Sequence, residues 1–186
     1  MAKVNQPEPV KLICGMIAPQ SDIFAMAVES LTVMFGPTDL VSEVMSFEFT
    51  HYYDRQMGSP LFRIFVAFER LCYGDQLAEA KLRTNELELQ LADKFSDGPA
   101  RPINLDPGYV AQSRLILASM KNFSHRIYLW MGVYAEITLM YQSGKWQSLP
   151  WTFPDYASGR YDDFLTAARN SLRAAPLAGD RRKDLQ

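Results

Sequence analysis

Along the chain, the spacing of apolar positions switches between a strand period and a helix period, and the switch points mark the elements. Residues 10–18, VKLICGMIA, form a nearly continuous apolar run ended by Pro19, the pattern of a buried strand. From Ser21, placed to cap a helix, Ile23, Ala27, Leu31 and Phe35 recur every four residues until Gly36-Pro37 stops the pattern. The stretch 40–49 returns to strand. Residues 61–71 alternate, with Phe62, Ile64, Val66 and Phe68 on one face. Asp75 is the expected cap of a second helix running to 94, with Leu77, Ala80, Thr84, Leu87 and Leu91 as its inner stripe. Lys81, Asn85 and Glu88 flank that stripe at i, i+4 and i+7, and therefore stack along one side of the helix.

The second half opens with INLDPGYV, 103–110. Asp106-Pro107-Gly108 fits a type II turn, because Pro fixes φ at the second position and Gly accepts positive φ at the third. Residues 113–121 fit a strand or a helix equally. Residues 125–141 read as a hairpin turning at Gly132. Its expected apolar face carries Ile127 and Leu129 against Ala135, Ile137 and Leu139, leaving Arg126, Tyr128, Tyr134, Glu136 and Thr138 on the other. QSGKW makes a further turn. A final helix over 160–174 turns Tyr161, Phe164, Leu165, Ala168 and Leu172 inward. The order β-α-β-β-α-β is that of a split-βαβ, ferredoxin-like unit, extended by a β-meander and a helix. The expectation is an α+β domain over 10–175 with a mainly antiparallel sheet and helices packed on one face. Residues 1–9 and 176–186 read as solvated tails.

Composition narrows the possible partners. The 186 residues are 48% hydrophobic and 22% charged, enough for a packed core. A net charge of −2 gives no bulk attraction to nucleic acid or to an acidic membrane, so neither is an expected partner. The terminal cluster Arg181-Arg182-Lys183 is too short to change this. Cys14 and Cys72 lack CxxC or His partners, which argues against zinc and for reduced thiols in a reducing compartment. The N-terminus lacks the order of a signal peptide. The most apolar stretch, RIYLWMGVYAEITLMY, is short and interrupted by Arg126, Gly132 and Glu136. A cytoplasmic protein is expected. The phosphate-binding patterns G-x-x-x-x-G-K-[ST] and G-x-G-x-x-G do not occur.

Several polar residues stand where a site is plausible. Asn104 and Asp106 alternate with Ile103 and Leu105, so both leave the core face, and with Tyr109 they are candidates for a pocket wall. Asp106 also has the plainer role of starting the turn. Arg126 and Glu136 are either a cross-strand ion pair on a solvated face, worth a few tenths of a kcal/mol, or a pocket floor. In the second reading Arg126 or Lys121 holds an anion and Glu136 serves as a base or a metal ligand. His125 beside them titrates near neutrality, although a lone His is more often structural. The other histidine, His51, begins HYYD. In WTFPDY, 151–156, Trp151, Phe153 and Tyr156 offer flat faces that either stack a ligand ring or clasp the last helix.

YYDRQMG, KLRTNELE, INLDPGYV, LILASMKNFSHRIYL, VYAEITL and WTFPDY together resemble a bacterial family of about this length, catalogued as domain of unknown function 4416. The resemblance runs over about residues 10–172. It implies a distinct single-domain protein whose signature polar residues correspond to Lys81, Asn85, Asn104, Asp106, Lys121, His125, Arg126, Glu136 and Asp155. It implies no activity. Some members carry an automatic GTP-binding label, which the missing P-loop leaves without a mechanism.

Two readings of function follow. In the first, a small anionic metabolite or nucleotide occupies a polar pocket. Asp106, His125 and Glu136 are its candidates for chemistry, and Lys81, Asn85, Asn104, Tyr109, Lys121, Arg126, Trp151 and Asp155 its candidates for contact. Mg²⁺ is compatible with the carboxylates. In the second, exposed aromatic segments make the chain an interaction module, with homo-oligomers one outcome.

Overall fold

The computed structural model describes residue 5 and residues 7–50, 53–95 and 98–175. His51 of HYYD, most of both expected tails and the Arg181-Arg182-Lys183 cluster lie outside the described residues. In chain order the elements are β1 (Lys11–Ala18), α1 (Ser21–Phe35), β2 (Thr38–Val41), β3 (Met45–Ser46), α2 (Asp54–Met57) and β4 (Phe62–Phe68). Then come α3 (Leu77–Lys94), β5 (Asn104–Ala111), β6 (Arg114–Ser119), β7 (Ile127–Trp130), β8 (Val133–Gln142), β9 (Lys145–Ser148), α4 (Pro154–Ala157) and α5 (Asp162–Ala174). The strands form one sheet in the order β2-β4-β1-β5-β6-β8-β7, with β3 on β4 and β9 on β8. Every pairing is antiparallel. The first four positions, β2-β4-β1-β5, are the split-βαβ order, and β6, β8 and β7 extend it as a meander.

The α+β class and the antiparallel sheet match the expectation, but the helices lie on both faces. Leu12, Cys14, Met16 and Ala18 of β1 pack with α1 and α3. Ile13 packs on the opposite side with Phe65, Tyr161, Leu165 and Ala168, under α5. The physical reason is visible in β1. All eight of its residues are buried, and a strand with no polar face needs cover on both sides.

Several local expectations change. Ser21 opens α1 without capping it; Gln20 is the N-cap and the Ser21 hydroxyl goes to Asp22. Asp75 lies within a short 3-10 turn, Gly74–Gln76, ahead of α3. The stretch 40–49 divides into β2 and β3, and 113–121 resolves as strand β6.

The largest change concerns Asp106-Pro107-Gly108, which is extended strand inside β5 and not a turn. Its rungs with β1 run unbroken from Lys11–Val110 to Ile17–Asn104. On the other side, pairing to β6 stops at Gly108–Leu117. Pro107 therefore sits where β5 has become an edge. The amide it lacks would point, like that of Leu105 two residues earlier, to where β6 has already parted. Gly108 marks the last rung. A Cβ there would lie 2.4 Å from the Ile116 carbonyl oxygen and 2.6 Å from a Leu117 methyl. Beyond this rung the sheet splits.

The hairpin also departs from simple alternation. The β6–β8 register shifts between Leu115–Leu139 and Ile116–Ile137, so Thr138 is an extra residue. Leu139 consequently faces the α5 side, while Val133, Ala135 and Ile137 face the α3 side. Ile127 and Leu129, expected on an apolar inner face, are exposed, because β7 is an edge strand paired with β8 alone.

Replacing Gly108 with Ala should force β5 and β6 apart at their last rung. The expected cost is about 1–3 kcal/mol, a fall in Tm of roughly 2–4 °C per kcal/mol for a chain of this size, checked by thermal denaturation.

Candidate functional site

The split between β5 and β6 opens into a cleft of about 770 Å³. Its walls come from β5, the far end of β6, the α3 flank, the segment after β3 and the start of α4.

At its base lies Arg63 of β4, which is 3% exposed. Its guanidinium donates to the Tyr156 hydroxyl at 3.1 Å and to Asp106 Oδ2 at 3.3 Å, and lies 3.6 Å from Asp155 Oδ2. The rings of Phe47, Phe65, Tyr156 and Tyr161 surround it, with centroids 5.1–5.7 Å from its central carbon. Gly15, paired with Asp106 across β1 and β5, leaves the space this needs: a Cβ there would lie 3.2 Å from an Arg63 nitrogen and 2.8 Å from the Phe65 ring. Burial works against the Arg63 charge, but the Tyr156 hydroxyl and the Asp155 and Asp106 carboxylates raise its pKa further, so it is a permanent cation. Asp155 receives the Tyr161 hydroxyl at 3.2 Å. Burial raises its pKa, with Arg63 pulling the other way.

On the second wall, α3 side chains take the place of the missing strand. Glu88 accepts the Leu105 amide at 2.7 Å, and Lys81 donates to the Leu105 carbonyl at 2.8 Å. Each would otherwise be a backbone group left unpaired at the split. Arg101 bridges Glu88 at 2.9 Å and the side-chain oxygen of Asn104, and Asn104 donates to Asp106 at 2.7 Å. Burial raises the Glu88 pKa, while Lys81 and Arg101 counter it. The chain of contacts Lys81–Leu105–Glu88–Arg101–Asn104–Asp106–Arg63–Asp155 is continuous.

The third wall is Glu136. Oε2 takes Arg126 Nε at 2.7 Å and His125 Nε2 at 3.0 Å, while the buried Oε1 has no partner. Glu136 is 2% exposed, so the pair with Arg126 is buried, and the solvated-face reading of it does not hold. Arg126 also donates to the Lys121 carbonyl at 2.9 Å. His125 lies flat on Trp151, centroids 5.1 Å apart at 8°, and Trp151 is fixed by donating to the Ile137 carbonyl at 2.8 Å.

Of the residues singled out from sequence, Lys81, Asn85, Asn104, Asp106, Lys121, Arg126, Glu136 and Asp155 line this cleft. His125 and Trp151 are outside the lining: His125 contacts Glu136 from behind, and Trp151 stacks on His125. Tyr109 does not belong to it. With 106–108 extended and not turned, Tyr109 falls on the opposite sheet face from Asp106 and packs beside Gly74. Sequence reasoning missed Arg63, Arg101 and the rings of Phe47, Phe49 and Tyr53. Arg63 had a signal, since it is the one charge inside FRIFVAF, a run otherwise apolar on both faces.

The cleft gathers five basic side chains (Arg63, Lys81, Arg101, Lys121 and Arg126) and four acidic ones (Glu88, Asp106, Glu136 and Asp155), with the rings of Phe47, Phe49, Tyr53, Phe153 and Tyr156 at its rim. Among the described residues, no group of three or more His, Cys, Asp or Glu is placed to hold a metal ion. Asp106 and Asp155 share Arg63, and Glu88 pairs with Arg101. Cys14 is buried and Cys72 half-buried, both free. Burial raises both thiols, Cys72 to about 11, which makes them poor nucleophiles at neutral pH. Among the described residues no helix is long and apolar enough to cross a membrane.

Fold and cleft together define an antiparallel α+β protein built around a split sheet whose opening is lined by paired charges. The chain belongs to the family described as domain of unknown function (DUF4416), whose model matches residues 8–172. No curated protein and no solved structure matches it.

Three outcomes test this geometry. Arg63→Met should strand the carboxylates of Asp106 and Asp155 and cost about 3–5 kcal/mol in urea denaturation. Arg63→Lys should not restore stability, because an ammonium lacks the planar fork that reaches three acceptors. For Asp155, a folded pKa above the ordinary 3.8 means that the native state keeps a proton the unfolded chain has lost. Its contribution is therefore full below pH 3.8 and is lost as pH rises through the raised value. Urea midpoints over that range should fall more steeply with pH for the wild type than for Asp155→Asn; parallel curves would remove the burial assigned to this carboxyl.

Proposed function

We propose that this protein binds a small anionic metabolite in the β5–β6 cleft, with a nucleotide inside the class that fits. One observation carries the reading: five basic and four acidic side chains are gathered into a single cleft of about 770 Å³. Buried ion pairs are poor stabilisers, and well-packed apolar side chains of similar volume often do as well or better. A fold that needed only stability would not line a cleft this way, whereas convergent polar groups in a concave site are the usual mark of a ligand. Lys121 is exposed at the open side for an anionic group, with Arg126 behind it on Glu136. The rings of Phe47, Phe49, Tyr53 and Phe153 suit a planar one. Nucleotide binding here would rest on these side chains, since the chain has no P-loop. If the ligand is also turned over, Glu136, oriented by His125 and Arg126, is the group placed to move a proton.

A thermal-shift screen of metabolites and nucleotides, with and without Mg²⁺, tests the proposal. A true ligand at a hundred times Kd stabilises by about 2.7 kcal/mol. Lys121→Ala should weaken that ligand about ten- to a hundredfold, the loss of one charge-assisted contact, while leaving Tm of the free protein nearly unchanged because Lys121 is exposed. An unaltered affinity would place the ligand elsewhere.

A further inference from the structure

We propose that β7 is a self-association edge, and that two copies of this chain pair their β7 strands antiparallel about a two-fold axis. Among the described residues four strands pair on one side only, β2, β3, β7 and β9, and they are not alike; β3 is two residues long and its Ser46 carbonyl accepts Arg160. β2 carries Asp39, bound to Lys11 and Ser171, and α5 packs over it. β9 carries Lys145, and its Trp146 is buried with a hydrogen bond to Thr166. β7 is Ile-Tyr-Leu-Trp, paired with β8 alone, and every residue in it is exposed.

Natural edge strands are blunted by Lys, Pro or a covering element, because unpaired backbone groups recruit other strands. β7 has none of these. From Ile127 to Ala135 the sequence IYLWMGVYA contains no charge and no proline. The one irregularity is a register shift between Tyr128 and Trp130. Phe123 and Met131 extend the apolar surface at either end. Exposures across Phe123, Ile127, Tyr128, Leu129, Trp130 and Met131 run from 37% to 69%.

A second copy is the occupant these features fit. Without charge, the edge offers no electrostatic selection for a charged partner and nothing that repels itself. A two-fold antiparallel pairing is self-complementary, so one residue set supplies both sides. Ile127 and Trp130 stand opposite Ala135 and Val133 on one face and Tyr128 opposite Tyr134 on the other, with Leu129 the extra residue at the register shift. Each face of the joined sheet thus gains apolar cross-strand pairs. Large side chains present roughly 150–250 Å² each when fully open, so six of them at these exposures leave on the order of 600–700 Å² per copy, close to the roughly 800 Å² per partner of a standard interface. Four residues supply few backbone bonds, and the side chains carry most of the affinity.

The test is sedimentation velocity of the full chain across micromolar concentrations, beside the double variant Leu129→Lys, Trp130→Lys and the control Val33→Lys on the exposed face of α1. The wild type and the control should sediment as dimers and the double variant as a monomer with unchanged circular dichroism. The wild type should also show amide exchange at 127–130 that slows as concentration rises, a readout that does not depend on any variant folding. A wild type monomeric throughout, a dimer that survives the double variant, or exchange at 127–130 indifferent to concentration would overturn the proposal.

Discussion

The structure turns on a buried guanidinium. Arg63 lies among four aromatic rings on β4, where a charge is tolerated only if its partners are close; both terminal nitrogens of its guanidinium meet them, and only the buried Nε is left without one. Those partners come from distant parts of the chain: Asp106 on β5, Asp155 and Tyr156 on α4. Satisfying Arg63 thus fixes α4 against the sheet and aims two carboxylates at the cleft. The absence of a side chain at Gly15 lets the guanidinium lie against β1. One electrostatic requirement sets both the packing of the α5 side and the charge pattern of the site.

The cleft itself comes from a strand pair that ends early. β5 continues for four residues beyond its last rung with β6, and a bare edge in that position is costly. Pro107 removes one donor from it, and Glu88 and Lys81 take up the Leu105 amide and carbonyl from across α3. The same two side chains then present their charge to the opening. Structural satisfaction and site chemistry are shared by the same residues here. Lys81 is nearly fully buried for that reason, although its position on the helix flank gives no hint of burial.

The elements themselves were largely legible in the sequence. The periods marked α1, α3, α5, β1, β4 and the β7–β8 hairpin, and their order marked the split-βαβ start and the antiparallel extension. Local periodicity reports which side chains seek the core, and that is enough to assign type and order. Eight of the cleft's residues were also legible, as charges and amides set off the apolar stripes. Three things depended on contacts between residues far apart in sequence. Asp-Pro-Gly has the local chemistry of a turn, yet here it is strand, because β1 supplies a full set of rungs on one side and β6 parts on the other. The extra residue at Thr138 inverts the facing of the hairpin, and single-strand alternation cannot register an insertion seen only against a neighbour. Arg63 reads as a lone charge in an apolar strand until Asp106 and Asp155, 43 and 92 positions away, fold onto it. The sequence by itself determined what each segment prefers. Only the tertiary structure decided which charges meet, because the energy of a buried ion depends on partners that chain order does not place beside it.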